Sequence, residues 1–123
     1  MNFTLEGVMP VLALGVFGGL GSVLRLFLSR FSGYLPWGIL IANVAASFVC
    51  GLALAYGTNS TLGVWLTMGL AGGLSTFSTW AGQTATYFQQ RLRQQAMMNI
   101  LANLMLAPVA VFIGALIATS LLK

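Results

Sequence analysis

From Phe31 to Gln90 the chain runs sixty residues without one charged side chain. A soluble domain carries roughly 25% charged residues, spread along its length to keep it in water. Here charged residues make up 5% of the 123 and hydrophobic ones 59%. The run therefore places the chain in a bilayer, as an all-α integral membrane protein whose backbone groups are satisfied within helices.

A helix that crosses about 30 Å of hydrocarbon needs roughly 20 apolar residues. The charge-free run is too long for that and must fold back on itself. YGTNSTLG (Tyr56 to Gly63) supplies turn chemistry. Further breaks are predicted at SRFSGYLP (Ser29 to Pro36) and QQRLRQQ (Gln89 to Gln95), where arginine and glutamine gather. Four spans follow: Val8 to Leu28, Trp37 to Tyr56, Leu62 to Phe88 and Ala96 to Leu122. Residues 1–123 read as one four-helix transmembrane domain. The first span lacks a basic leader and is followed by three more, so it reads as a permanent helix, not a cleaved signal.

The net charge of +4 comes from few residues, and their placement reflects topology, not a nucleic-acid surface. Arg25, Arg30, Arg91 and Arg93 fall near one membrane face, while Glu6, the amino terminus and Lys123 fall near the other. The positive-inside rule then puts the loops after spans one and three in the cytoplasm and both termini outside.

Absent residues narrow the chemistry. The chain has no histidine, and its single acidic residue is Glu6. It therefore offers no carboxylate pair, acid–base dyad or triad, and an enzyme is not expected. The lone thiol, Cys50, reads as a small core hydrophobe. Proton-coupled transport needs an ionisable relay inside the membrane, so passive movement of a solute fits better.

The polar residues left inside the spans are then the candidates. Arg25 follows the glycine-rich GGLGSVLR, whose small residues permit close helix approach; it either snorkels or draws anions to a vestibule. Asn43 lies in LIANVAASF and either joins helices or donates hydrogen bonds to a passing solute. Asn99 and Asn103, four apart, share one face of the fourth span and are open to the same two readings. The densest polar cluster is GGLSTFSTWAGQT (Gly72 to Thr84). Gly72 and Gly73 weaken a helix there, and Ser75, Thr76, Ser78 and Thr79 can stabilise a local break. A break frees carbonyls, hard ligands suited to a small cation such as sodium. Phe77 and Trp80 project from one side of the helix that follows. Their ring edges are partly positive, and Trp80 adds an N–H donor.

GGLGSVLR, IANVAASFVCG (Ile41 to Gly51) and GLAGGLSTFSTW (Gly69 to Trp80), in a four-span chain of this length, resemble the Fluc (CrcB) family of fluoride ion channels. AMMNILAN (Ala96 to Asn103) resembles the family's fourth helix more loosely. The resemblance implies a broken third helix and an antiparallel, dual-topology dimer in the cytoplasmic (inner) membrane, with fluoride as the solute. It also implies a structural sodium ion at the dimer centre, held by the backbone carbonyls of Gly72 and Ser75. Asn43, Phe77, Ser78, Thr79 and Trp80 match pore residues, with Asn99 and Asn103 completing the lining, and Arg25 matches the vestibule arginine. Trp80 stands where phenylalanine is usual, Ser75 where threonine is usual, and Ala81 and Gln83 where serine and often glutamate follow. A homodimer is favoured; pairing with a homologue, this chain being the non-conducting subunit, is the alternative. Another is a small multidrug-resistance-type transporter, which would have to use Glu6.

Overall fold

The computed structural model describes residues 5–54, 57 and 60–121. Every regular element among them is helical: α1 (Leu5–Leu28), α2 (Trp37–Leu54), α3 (Thr61–Val64), a π-helical segment (Trp65–Ala71), α4 (Gly72–Leu74), α5 (Phe77–Gln89) and α6 (Arg93–Leu121). Three of them, α1, α2 and α6, are long and apolar enough to cross a membrane. The segments 61–74 and Phe77–Gln89 are each roughly 20 Å long at a helical rise, and neither crosses alone. The ends proposed for spans at Tyr56 and Leu122, the turn residues Thr58 and Asn59, and Lys123 lie outside the described residues. Glu6 falls in the first turn of α1, and its side chain is likewise outside them.

Local chemistry sets the helix ends. Pro36, which needs no N–H partner, precedes α2 and its carbonyl accepts from Ile39 and Leu40. Ser60 caps α3 by accepting from Gly63 N at 3.0 Å. The expected break at Gln89 to Gln95 is shorter than predicted, because α6 already starts at Arg93. Arg91 adopts φ 59°, and Leu92 N reaches back to Tyr87 O at 2.8 Å. This left-handed closure ends one helix and lets the next begin at once.

Two close-packed pairs build the bundle. The α1 helix runs beside residues 61–74: Phe17 stacks on Trp65 at 6.0 Å, Ser22 Oγ lies 3.5 Å from the Gly73 carbonyl it donates to, and a Cβ on Gly73 would strike the Gly18 main chain. The expectation that GGLGSVLR permits close approach is thereby met. Alongside them, α2 crosses α6 at Gly51 and Gly114, where a Cβ on either would meet the partner's backbone. Between the pairs lies a small-residue core of Ala42, Ala46, Ala71 and Leu74, with Cys50 packed against it as apolar filler.

Gln95 Nε2 donates to Tyr34 O at 3.3 Å, tying the α1–α2 connection to the start of α6. The segments bearing Arg30, Arg91 and Arg93 therefore gather at one end of the bundle. Outward faces of α1 and α6, including Leu12, Val16, Met105 and Phe112, are apolar and exposed, as a lipid-facing surface requires.

Candidate ion pathway

Between α4 and α5 the backbone leaves the helix: Ser75 has ψ 153° and Thr76 φ −152°. The glycine pair itself is helical, Gly72 at φ −62° and ψ −39°, so the interruption lies two residues beyond the expected weak point. Its cause is tertiary. In an unbroken helix Thr76 N–H would bond Gly72 C=O; here it donates to Asn43 Oδ1 at 2.9 Å. Thr76 then caps α5, its Oγ1 accepting from Thr79 N at 3.2 Å and donating to Thr79 Oγ1 at 3.0 Å.

Asn43 is the junction of a longer chain of amides. Its Nδ2 donates to Asn103 Oδ1 at 2.9 Å, and Asn103 Nδ2 donates to the Asn99 carbonyl at 3.0 Å. Asn99 Nδ2 in turn donates to Thr84 Oγ1 at 2.9 Å. Amides in an apolar interior need such partners, since a stranded polar group there is costly. Replacing Asn43 with leucine keeps the bulk but strands Thr76 N–H and Asn103 Oδ1, at roughly 1–3 kcal/mol for each group. The thermal midpoint of Asn43→Leu in detergent should therefore fall clearly below that of the wild type; an unchanged midpoint would show that the amide does not hold the interruption open.

Two cavities flank Thr76. One, of about 440 Å³, is lined by Arg25 with Ser22, Ser29, Ser78 and Thr79. The other, of about 320 Å³, is lined by Asn43, Ser75, Phe77, Trp80 and Asn103. Thr76 lines both. Arg25 Nη1 donates to Ser75 O at 3.4 Å, an exposed contact at the edge of the first cavity. In the second, the rings of Phe77 and Trp80 stand edge to face, 5.3 Å apart at 60°. Phe77 is 76% exposed.

Most of the residues read from the sequence thus line one or the other of these two cavities. Asn99 does not: it is 1% exposed and sits behind the wall. The Trp80 N–H is engaged within the chain, Nε1 donating to the Asn99 carbonyl at 3.2 Å. Gly72 and Ser75 line a separate cavity of about 190 Å³ with Ser47, Cys50 and Thr67. Sequence reading passed over Thr76 as a lining residue, and Thr84 altogether. A usable signal was present: Thr76, Thr79, Gln83 and Thr86 recur at helical spacing and form a polar stripe. A third cavity, of about 450 Å³, continues along that stripe past Thr79 to Gln83, Thr86 and Ser32.

Fold and site together define a multi-pass helical membrane protein with one hydroxyl- and arginine-lined cavity and one aromatic-walled cavity flanking an interrupted helix. The family described as CrcB-like protein, Camphor Resistance (CrcB), matches residues 12–115, and the chain belongs to that family. It is 38% identical over 113 residues to the Fluoride-specific ion channel FluC of Shewanella amazonensis, a match covering 85% of this chain and 91% of the relative. The protein of the same name from Koribacter versatilis is 37% identical over 111 residues, 81% of this chain and 88% of the relative. The one from Dehalococcoides mccartyi is 37% identical over 123 residues, 92% and 94% of the two chains. The resemblance read from the three glycine- and hydroxyl-bearing segments is borne out.

Proposed function

We propose that this chain is a passive, selective fluoride channel of the cytoplasmic membrane, working as an antiparallel dual-topology dimer. Family membership brings fluoride into the reading. The observation that carries it to particular residues is that Thr76, where the helix is interrupted, lines both a cavity bordered by Arg25 and hydroxyls and a cavity walled by the Phe77 and Trp80 rings. Fluoride gives up its tightly held water only where donors and positive ring edges replace it. Arg25 draws the anion to the first cavity, the hydroxyls of Ser78 and Thr79 take over its hydration, and past Thr76 the edges of Phe77 and Trp80 face it beside Asn43 and Asn103. With Glu6 as the only acidic residue, no carboxylate relay couples this movement to protons. That absence, with the family assignment, also removes the support for a multidrug transporter.

The segments 61–74 and Phe77–Gln89, end to end, make the fourth span of this reading, a broken third helix in chain order. Its break supports a dimer. Gly72, Ser75 and Ser78 are exposed at mid-span, and irregular backbone with free hydroxyls is not left facing lipid. A second copy, inserted the other way, covers that side. Most of the arginines gather at one end, a bias toward a single insertion that is the ground for the alternative, pairing with a homologue inserted the other way.

A structural sodium ion at the dimer centre belongs to the same reading, and the residues fit it. The Gly72 carbonyl has lost its helical donor to Asn43, and Ser75 is extended beside it. The Ser75 carbonyl accepts from Arg25 Nη1 at 3.4 Å and would give up that contact to join the Gly72 carbonyl; two chains would then offer four carbonyls, a hard-oxygen set suited to a small cation. Bound there, the ion would neutralise converging carbonyl dipoles without being transported.

Fluoride efflux from liposomes holding only this purified chain tests the proposal, with a potassium ionophore to release the opposing voltage and chloride as the control anion. Fast fluoride release without chloride release is expected. Silence from well-folded protein, relieved by co-reconstitution with a homologue, would make the chain a non-conducting partner subunit; silence in both would overturn the reading.

A further inference from the structure

We propose that the arginine-bearing end of the bundle is a binding site for an anionic phospholipid, its headgroup phosphate held by Arg30 on one segment and by Arg91 and Arg93 on another. The inference is independent of the solute that the protein passes. It starts from a charge imbalance. Arg30, Arg91 and Arg93 are all exposed, and the single acidic residue of the chain, Glu6, sits in the first turn of α1, at the opposite end of the helix that leads to Arg30. No acidic side chain of the chain lies at the arginine end. An antiparallel second copy would bring one Glu6 to that side, against three arginines and accompanied by an amino terminus and Lys123.

The fold holds the two arginine segments together. Gln95 Nε2 donates to Tyr34 O at 3.3 Å, and Gly38 N donates to Phe31 O at 2.8 Å, so the connection after α1 is anchored both to α2 and to the start of α6. The turn that carries Arg91 is closed by Leu92 N bonding to Tyr87 O at 2.8 Å. A headgroup that bridges the segments therefore orders only side chains, which keeps the cost of binding low.

The neighbours of the arginines select a lipid over a free anion. Arg30 Cζ lies 5.5 Å over the ring of Phe27, in the last turn of α1, and that ring is exposed. Phe31, Tyr34, Phe88 and Leu92, interleaved with the arginines along the chain, are exposed as well. Apolar rings beside long cationic side chains mark the boundary between hydrocarbon and headgroups, the rings on the acyl side and the guanidinium groups at the phosphates. Inorganic phosphate would engage the guanidinium donors and leave the rings uncovered. A phospholipid answers both, its phosphate taking paired N–H bonds from arginine while its chains cover the aromatic side chains.

Trp37, exposed at the start of α2 with its ring beside Gly33 of the same connection, reports which lipid is there. The test uses the full-length chain carrying Trp65→Phe and Trp80→Phe in vesicles of symmetric composition, where the direction of insertion does not alter the reading. Quenching of Trp37 by brominated phosphatidylglycerol is compared with quenching by brominated phosphatidylcholine. Phosphatidylglycerol should be preferred at least about fivefold, the order of one arginine beside an anionic headgroup. Arg30→Gln, Arg91→Asn and Arg93→Gln together should bring the ratio close to one; asparagine is chosen because it tolerates the φ of 59° at Arg91. Native mass spectrometry of the chain with all its tryptophans gives a second reading, since it should retain phosphatidylglycerol over phosphatidylcholine and the arginine variant should not.

Equal quenching by the two lipids overturns the proposal, as does a preference that the arginine substitutions leave unchanged. A preference abolished by millimolar inorganic phosphate overturns it too, because the site would then take a free anion. Fluoride release plays no part in these readings, so the lipid site and the fluoride pathway stand or fall separately.

Discussion

Phe77→Ile should reduce fluoride efflux about tenfold to a hundredfold while the protein folds and assembles as before. The ring lies 5.3 Å from Trp80, edge to face, and its partly positive rim is the feature that an anion stripped of water can use. Isoleucine fills similar space with no such rim. Losing one stabilising contact for a desolvated ion costs roughly 1–3 kcal/mol, which converts to that range of rates. Stability should barely move, because the ring is 76% exposed within the chain and anchors no core. Efflux per folded protein, with size-exclusion profiles of both variants, checks the two halves together. Flux equal to the wild type would remove the ring edge from the mechanism. Loss of assembly alongside flux would make Phe77 an interface residue instead.

The sequence reveals some parts of this architecture and conceals others for physical reasons. Three of the four expected spans were legible as long apolar helices, because so nearly charge-free a chain admits only helices in lipid. The start of α2 was legible as well, since Pro36 marks it locally. The position of the interruption was not. Gly72 and Gly73 look like helix breakers, yet both are helical, and Gly73 serves the close approach of α1. The break belongs to Thr76, whose N–H is taken by a side chain 33 residues earlier, and no local window contains both groups. The π-helical turn at Trp65–Ala71 has no local signature in the sequence; its small residues Gly69 and Ala71 are buried, Gly69 beside Phe17 of α1.

The pathway shows the same division. Asn99 and Asn103 were rightly read as sharing a face, and spacing alone delivers that. Which of them reaches the cavity depends on where α5 packs, and only Asn103 does. The Trp80 N–H looked like a donor for a passing anion; its partner is a backbone carbonyl 19 residues away, which composition cannot disclose. The hydroxyl-rich segment thus marked where the helix is interrupted, while tertiary hydrogen bonds decided which of its groups face the cavities.

The second large effect is expected at the α2–α6 crossing, in Gly51→Val. A Cβ at Gly51 would meet the carbonyl of Val111 and the amide of Ala115, and one at Gly114 would meet the carbonyl of Phe48. The obstacle on both sides is main chain, so no rotamer change relieves it and the helices have to separate. Overpacking of this kind costs about 1–3 kcal/mol, and against main chain the upper end applies, a large share of the roughly 5–15 kcal/mol that holds a domain folded. Asn43 lies about 12 Å along α2 from Gly51 at the helical rise, so parting the helices also pulls Asn43 away from Asn103, now 2.9 Å apart through their hydrogen bond. Thr76 N–H then loses the acceptor that keeps the interruption open. Gly51→Val should accordingly give little monodisperse protein in detergent, a depressed thermal midpoint in what survives, and no fluoride release, with Gly51→Ala intermediate. Wild-type stability in Gly51→Val would mean that the helices do not touch there; wild-type stability with lost flux would mean that the crossing tunes the amide chain without bearing the fold.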